Sequence, residues 1–477
     1  MMNRSDIVIR DSGVIFGTSG ARGLVAQFSS TVCSAFTHAF VGVLRKKFQF
    51  ESVMVGIDNR PSSYQMAQAI CSTLVKIGIK PIYCGVLPTP ALAYSAMQKN
   101  IPSIMVTGSH IPFDRNGIKF YRPDGEIDKN DEKNIVTERV EFEHILELVS
   151  LNQDSGAIEE YTQRYLSLFS KDVLKGKRIG IYEHSSAGRD IYSSLFSSLG
   201  AEVFSLERTD EFVPIDTEAV AEEDYAKARA WVKEYSLDAV FSTDGDGDRP
   251  LISDETGEWI RGDILGLLCA EALNIEALAI PVSCNTAIEK SKKFARISRT
   301  KIGSPYVIAE FETLKENYHS IAGFEANGGF ILASNIEVNG QSLAALPTRD
   351  AILPALMLLT SAIDKTISQL CRELPKRYTY SDRIKNFPTE LSKRIISDGL
   401  KEPEKLLSKL KINRKVSSLN STDGLRLELE DSTIIHLRPS GNAPELRCYA
   451  ESENNECSKL LVLDVLEKVQ NLQSEIF

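Results

Sequence analysis

Between residues 53 and 107 apolar and polar stretches follow a fixed order: the strand VMVGID, the helix SYQMAQAICSTLVKIG, the strand PIYCGV, the short helix ALAYSAM and the strand SIMVT. Short apolar runs closed by turn residues read as buried strands, and the longer mixed segments between them read as helices. This is βαβαβ order, which places helices on the faces of a largely parallel sheet. The order returns from residue 178 as RIGIYE, a helix over about 189–199, AEVFSLE, the helix EEDYAKARAWVKEYS and LDAVFST. A third, less regular cycle begins near 277 with LAIPVS, a helix around AIEKSKKF, and strands before and after KENYHSI. The tail departs from it, with a helix near 389–398, strands around GLRLELE, STIIHLR and ELRCYAE, and a final helix over 458–472. The predicted fold class is α/β: three tandem βαβ-type domains with mixed sheets over 1–160, 161–270 and 271–375, then a smaller α+β domain over 376–477.

Length and composition agree with several buried cores. The chain has 477 residues, 43% of them hydrophobic and 25% charged, values of an ordinary globular protein. Its net charge of −10 provides no general basic surface for nucleic acid or anionic lipid, so any anionic ligand must be met locally. The eight cysteines form no CxxC pair and no tight Cys/His cluster, which argues against zinc or a disulfide framework. The N-terminus lacks an apolar signal core, and no segment approaches ~18 uninterrupted apolar residues. A reducing, cytoplasmic setting is expected, without a membrane or nucleic-acid partner.

In open α/β sheets ligands sit at the carboxyl ends of strands, and each cycle places its most polar sequence there. The first is MVTGSHIPFDRNGIKFY, where Ser109 follows Gly108 and lies near His110, Arg115 and Lys119. A serine among cations suits phosphate chemistry; acyl transfer would favour a GxSxG elbow, which is absent. The plainer reading is a turn serine. The second is STDGDGDRP, where Asp244, Asp246 and Asp248 alternate with glycines and can turn three carboxylates toward one hard cation. A calcium EF-hand competes, since counting from Asp244 puts Glu255 at the twelfth position, but the sixth, where that loop needs glycine, is Arg249.

The third is AGFEANGGF, where Glu325 and Asn327 can bond vicinal hydroxyls beside glycines that leave room for a ring. The fourth is LRPSGNAPELR, where Arg438, Ser440, the Gly441 and Asn442 amides and Arg447 can cradle a phosphate. Capping loops or tight turns would explain either of these two alone. A phosphorylatable serine, a magnesium loop, a hydroxyl-reading loop and a distal phosphate clamp form one coherent site.

From GTSGARG at 17–23 through TGSH, DGDGDR, FEANGG and RPSGNAPELR, the whole chain resembles the α-D-phosphohexomutase family, which interconverts hexose 6-phosphates and 1-phosphates. The resemblance implies three α/β domains and a lid-like fourth around a central cleft. It implies Ser109 as the phosphoserine and, with Asp244, Asp246 and Asp248, as a Mg²⁺ ligand. Arg22, His110, Lys119 and Arg249 would be the catalytic groups around the reacting phosphate. Lys301, Glu325, Asn327, Arg438, Ser440, Gly441 and Asn442 would bind substrate. Hexose 1,6-bisphosphate would be intermediate and activator, and the state a monomer or weak dimer.

Many relatives carry serine and histidine where Asn327 and Gly329 stand, and histidine where Ser304 stands, which weakens any assignment of a histidine general base. The segments ANGG, PTRDAILPAL and RYTYSDRIKNFP are similar to the bacterial branch that makes mannose 1-phosphate for GDP-mannose and surface polysaccharide. Glucose phosphate is the nearest rival substrate. A phosphosugar phosphatase and a non-catalytic metal or sugar-phosphate binder are the alternatives of another class.

Overall fold

A computed structural model describes residues 2–17, 20–145, 147–440 and 444–476, with side chains to Asn471 in the last helix. Among the described residues there are two two-stranded sheets, Met2–Arg4 with Glu141–Glu143 and Ile336–Val338 with Gln341–Leu343, and four larger ones. In the first, the order is Ile15–Phe16, Ala21–Leu24, Arg115–Arg122, Ser103–Val106, Ser52–Ile57 and Lys80–Val86, with Gly125–Glu126 beside Arg115–Arg122. The second runs Glu202–Arg208, Arg178–His184, Ala239–Thr243 and Pro250–Ile252. The third runs Arg296–Thr300, Ala277–Pro281, Ile321–Phe324, Phe330–Leu332 and Leu346–Asp350.

One scheme repeats in all three. A central strand takes a parallel neighbour on each side, and the later of these turns back into an antiparallel strand. The three turning loops are therefore topologically equivalent, and they hold Ser109, the three aspartates and Glu325 respectively. Strands buried on both faces explain why the sequence shows them as plain apolar runs. The tail forms a five-stranded antiparallel sheet in the order Tyr378–Ile384, Leu446–Ser452, Ile434–Pro439, Leu425–Leu429 and Val416–Asn420, covered by the helices Thr389–Lys401 and Asn455–Ile476.

Each α/β unit has an apolar cluster of its own, around Phe36 and Ile70, around Trp231 and Val240, and around Phe311 and Ile321, and a further core crosses between them. One continuous apolar cluster takes residues from all three α/β units, Met54 and Leu92 with Ile181 and Phe241 and with Phe324 and Leu356, while the tail has a cluster of its own around Phe387, Leu437 and Val462. Helices absent from the predicted set include Ser30–Leu44, whose sequence STVCSAFTHAFVGVL is apolar nearly all round and so shows no amphipathic period. The residues just before KENYHSI are a helix, Ser304–Lys315, with Pro305 in its first turn and Val307, Phe311 and Leu314 buried on one face; the preceding strand is Arg296–Thr300. The helix expected around AIEKSKKF is one turn, Ala287–Lys290. The boundaries expected after 160 and 270 fall inside the helices Gly156–Leu166 and Gly262–Ala272, so those breaks belong in the loops ahead of the helices. Among the described residues no helix is long and apolar enough to cross a membrane.

Candidate active site

Ser109 is buried and sits in the left-handed region, with φ at 53°. A non-glycine residue persists there only where its surroundings hold it. The hold begins at Asp58, at the end of the central strand. Its Oδ2 accepts from Thr107 Oγ1 at 2.7 Å and the Gly108 amide at 3.2 Å, and Thr107 Oγ1 accepts from the Ser109 amide at 2.8 Å. Arg60 completes it: its guanidinium donates to the carbonyls of Ser109, Ile111, Pro112 and Arg115 and lies 3.9 Å from the Phe212 ring centroid in the second unit. A Cβ on Gly108 would meet that guanidinium at 2.5 Å, so only glycine fits. We expect Arg60→Ala to strand Asp58, its buried partner at 3.3 Å, and to lower stability by roughly 3 to 5 kcal/mol. Urea denaturation checks this, and an unchanged midpoint would contradict it.

Ser109 Oγ donates to Asp244 Oδ2 at 2.7 Å, across the junction of the first two units. Asp244, Asp246 and Asp248 are fully buried, each offering an oxygen within 4.8 Å of the others. Several cations meet them, among them Arg249, whose Nε lies 3.9 Å from Asp244 Oδ2 and 3.6 Å from Asp248 Oδ1. Lys119 Nζ reaches Oδ2 of Asp246 at 2.5 Å and Oδ2 of Asp248 at 2.7 Å, Thr89 Oγ1 donates to Asp246 Oδ2 at 2.6 Å, and Arg349 donates to Asp248 Oδ2 at 2.8 Å. The Oδ1 atoms of Asp246 and Asp248 are buried with no hydrogen-bond partner. Buried bare carboxylate oxygens are costly unless something positive meets them. Burial and the two neighbouring carboxylates push the Asp244 carboxyl up to about 8; against burial, Arg349 and Lys119 hold Asp248 well below the usual range. An all-oxygen set of this kind fits Mg²⁺. The EF-hand alternative fails, because Glu255 bonds Ser368 in the third unit.

The loops open on a cavity of about 550 Å³ between the three units and the tail domain. Arg22, His110, Arg249, Glu325, Asn327, Arg438 and Ser440 all line it. Burial, then the Arg249 and Arg22 charges, pushes the His110 imidazole down to about 2. It is therefore neutral, and its Nδ1 lies 2.8 Å from Arg249 Nη1 and 3.3 Å from Ser109 Oγ. Nδ1 accepts from Arg249 and cannot also serve as a free base. Arg22 is half-buried, and burial with the nearby Arg249 charge draws it down to about 10. Arg438 enters from the tail domain, its Nε donating at 2.8 Å to Asp423, whose Oδ2 also accepts from the Ile302 amide at 3.0 Å.

Two expectations need correction. Lys301 is exposed, its ammonium 5.8 Å from the Tyr306 ring centroid, and it is the next residue, Ile302, that lines the cavity. Arg115 is likewise exposed and contributes its carbonyl to Arg60. Gly441 and Asn442 lie outside the described residues. Sequence reasoning missed Asp58, Arg60 and Arg349. The available signal for Arg349 was an arginine within PTRD, at a strand end before a wholly apolar helix.

A serine hydroxyl held on a carboxylate, beside a cation cradle and beneath several guanidinium groups, defines a phosphoryl-transfer enzyme. The phosphoglucomutase/phosphomannomutase family models match in sequence order: α/β/α domain I over residues 13–143, domain II over 159–257 and domain III over 261–378. The chain is 56% identical over 465 residues to a phosphomannomutase of Salmonella muenchen, covering 97% of each. It is 41% identical over 464 residues to a phosphomannomutase of Sinorhizobium fredii, covering 94% of this chain and 97% of that one. The crystal structure of a putative phosphomannomutase from Thermus thermophilus shares the fold, with a TM-score of 0.76 at 20% identity over 97% of this chain and 99% of that one. The chain belongs to the phosphoglucomutase/phosphomannomutase family, whose members are isomerases that transfer a phosphoryl group within one substrate.

Proposed function

We propose that this enzyme interconverts mannose 6-phosphate and mannose 1-phosphate through phosphorylated Ser109 and a hexose 1,6-bisphosphate. The carrying observation is the 2.7 Å bond from Ser109 Oγ to Asp244, next to His110 and Arg249, which line the same cavity as Arg438. In the forward half, the free sugar hydroxyl attacks phosphorus on Ser109. The new O–P bond forms as the Oγ–P bond breaks, and the proton given up by the attacking hydroxyl is returned to the leaving oxygen, Ser109 Oγ in this half and the sugar oxygen in the next. The bisphosphate then turns over, Ser109 Oγ attacks its other phosphorus, and the second O–P bond to the sugar breaks. Ser109, Asp244, Asp246 and Asp248 would hold Mg²⁺, which supplies charge neutralisation for the transferring group. Arg22, Arg249 and Lys119 present fixed positive charge on the same side.

Glu325 would bond two sugar hydroxyls, and Arg438, Ser440, Gly441 and Asn442 the phosphate that is not being transferred. A clamp on the tail domain can close over either orientation of the bisphosphate. Eight unpaired cysteines accord with a reducing cytoplasm, and GDP-mannose supply for surface polysaccharide is the pathway proposed. The relative at 56% identity, named a phosphomannomutase, supports mannose over glucose.

Mannose and glucose differ only at C2, which a turning bisphosphate presents differently in its two poses. Glu325 reading the two hydroxyls that exchange places would keep its bonds in both. The expected result is turnover of mannose 1-phosphate and glucose 1-phosphate with a modest preference for mannose. Glu325→Ala should reduce kcat/KM for both by roughly ten- to a hundredfold, the effect of losing a charged hydrogen-bond partner. Parallel assays of the two sugars and of glucosamine 1-phosphate check this. Glucose-only turnover overturns the mannose assignment, and steady release of inorganic phosphate would make the protein a phosphatase.

A further inference from the structure

Arg349 is the largest fully buried side chain among the described residues, it borders the cavity, and no part of the reaction scheme above uses it. It ends the last strand of the third sheet, and its guanidinium divides between two partners. The Nε and Nη2 edge donates to Asp248 Oδ2 at 3.1 and 2.8 Å; Nη1 on the other edge donates to Ser304 Oγ at 3.0 Å and Glu325 Oε2 at 3.3 Å. Ser304 Oγ passes a further bond to Glu126 Oε2 of the first unit at 3.1 Å, and Thr348 Oγ1 donates to Glu126 Oε1 at 2.7 Å. One planar cation thus ties a cation-holding carboxylate of the second unit to the hydroxyl-reading carboxylate of the third. The room for it comes from Gly329 and Ser304. A Cβ on Gly329 would meet Arg349 Cδ at 2.5 Å and Cγ at 2.7 Å, and a ring at 304 would occupy the place of the hydroxyl that Nη1 bonds.

We infer that Arg349 is a positioning residue that sets Glu325 against Asp248, so that the sugar and the reacting phosphate are held at one fixed separation, and that Gly329 and Ser304 are small in order to admit it. Nη1 holds Glu325 by Oε2 where that residue lines the cavity. The other edge occupies Asp248 Oδ2, which leaves Oδ1 without a hydrogen bond, 3.6 Å from Arg249 Nε. A lysine can neutralise one of these carboxylates but cannot span both, because its donors radiate from a single atom.

The inference rests on the mutase reading, and the test separates the two. Arg349→Lys, Gly329→Ala, Glu325→Ala and the Glu325→Ala/Arg349→Lys pair are compared by thermal melting, by kcat and KM, and, in a Ser109→Ala background that cannot turn over, by calorimetric binding of mannose 1-phosphate with Mg²⁺ present. Arg349→Lys should melt close to the parent yet bind about tenfold to a hundredfold more weakly, with KM raised more than kcat is lowered. Gly329→Ala, which removes no functional group, should weaken binding by displacing the guanidinium. The paired variant should be no worse than Glu325→Ala alone. Binding by Arg349→Lys within twofold of the parent, or losses that multiply in the paired variant, overturns the inference. If the wild type binds the sugar phosphate but does not isomerise it, the mutase reading fails while the binding cycle still reports on Arg349.

Discussion

Ser109→Ala is expected to abolish isomerisation, with a loss on the order of 10⁴-fold or more, as for removal of a covalent nucleophile. The fold should survive. Serine already carries a Cβ at φ 53°, so alanine adds no backbone strain, and the Asp58, Thr107 and Arg60 contacts that shape the loop involve the Ser109 backbone and not its hydroxyl. The bonds lost are Oγ to Asp244 and the longer contact of Oγ with His110 Nδ1. Peptide mass spectrometry of the native protein should place a substoichiometric phosphate on Ser109 and find none in the variant. Phosphate on another residue, or a variant within tenfold of wild type, would remove Ser109 from its role.

The second large effect is expected at Asp246. Asp246→Asn should lower kcat/KM by at least the roughly ten- to hundredfold that loss of even an outer partner of a metal ligand costs, while melting at or above the wild-type temperature without Mg²⁺. Three buried carboxylates lie within 4.8 Å, and deleting the charge of Asp246, whose one ion-pair partner among the described residues is the Lys119 it shares with Asp248, relieves repulsion among them. The amide keeps an acceptor oxygen for Thr89 and Lys119, and its NH₂ replaces the bare Oδ1. Wild type should gain stability as Mg²⁺ is added, and the variant should gain much less. Equal Mg²⁺ stabilisation of the two proteins would contradict the cation assignment.

The sequence announced those two residues for a local reason. Ser109 and Asp246 stand beside glycines at the ends of apolar strands, and both the turn chemistry and the crowding of like charges are visible within a few positions. Arg349 gives no such signal, because its meaning lies in partners 101 and 24 residues away. Arg60 is similar: it looks like a surface arginine after DN, yet it holds four carbonyls of a loop about fifty residues on. Lys301 differs again: it is exposed, while its neighbour Ile302 in the turn TKIGSPY lines the cavity. For the fold, period-based reading found the parallel strands of the first two units and the helices between them, but it named neither the strands Arg115–Arg122 and Leu346–Asp350 nor the helix Gly156–Leu166. It passed over Ser30–Leu44 and Ile352–Ser361, where burial on every side erases the period.

The shared apolar cluster sets what can be exchanged between relatives. Three sheets look like three modules, but Met54, Phe241 and Leu356 belong to one continuous core, and Glu126 is bonded by residues of the third unit. A chimera that replaced the second unit alone would have to match packing surfaces in both its neighbours, and gradual divergence is the easier route to new sugars. The tail domain has its own core and meets the rest through a few polar ties, among them Asn285 Nδ2 to the Arg377 carbonyl and the Ile302 amide to Asp423. It is the one part of this chain that recombination could trade whole, and with it the grip on the distal phosphate.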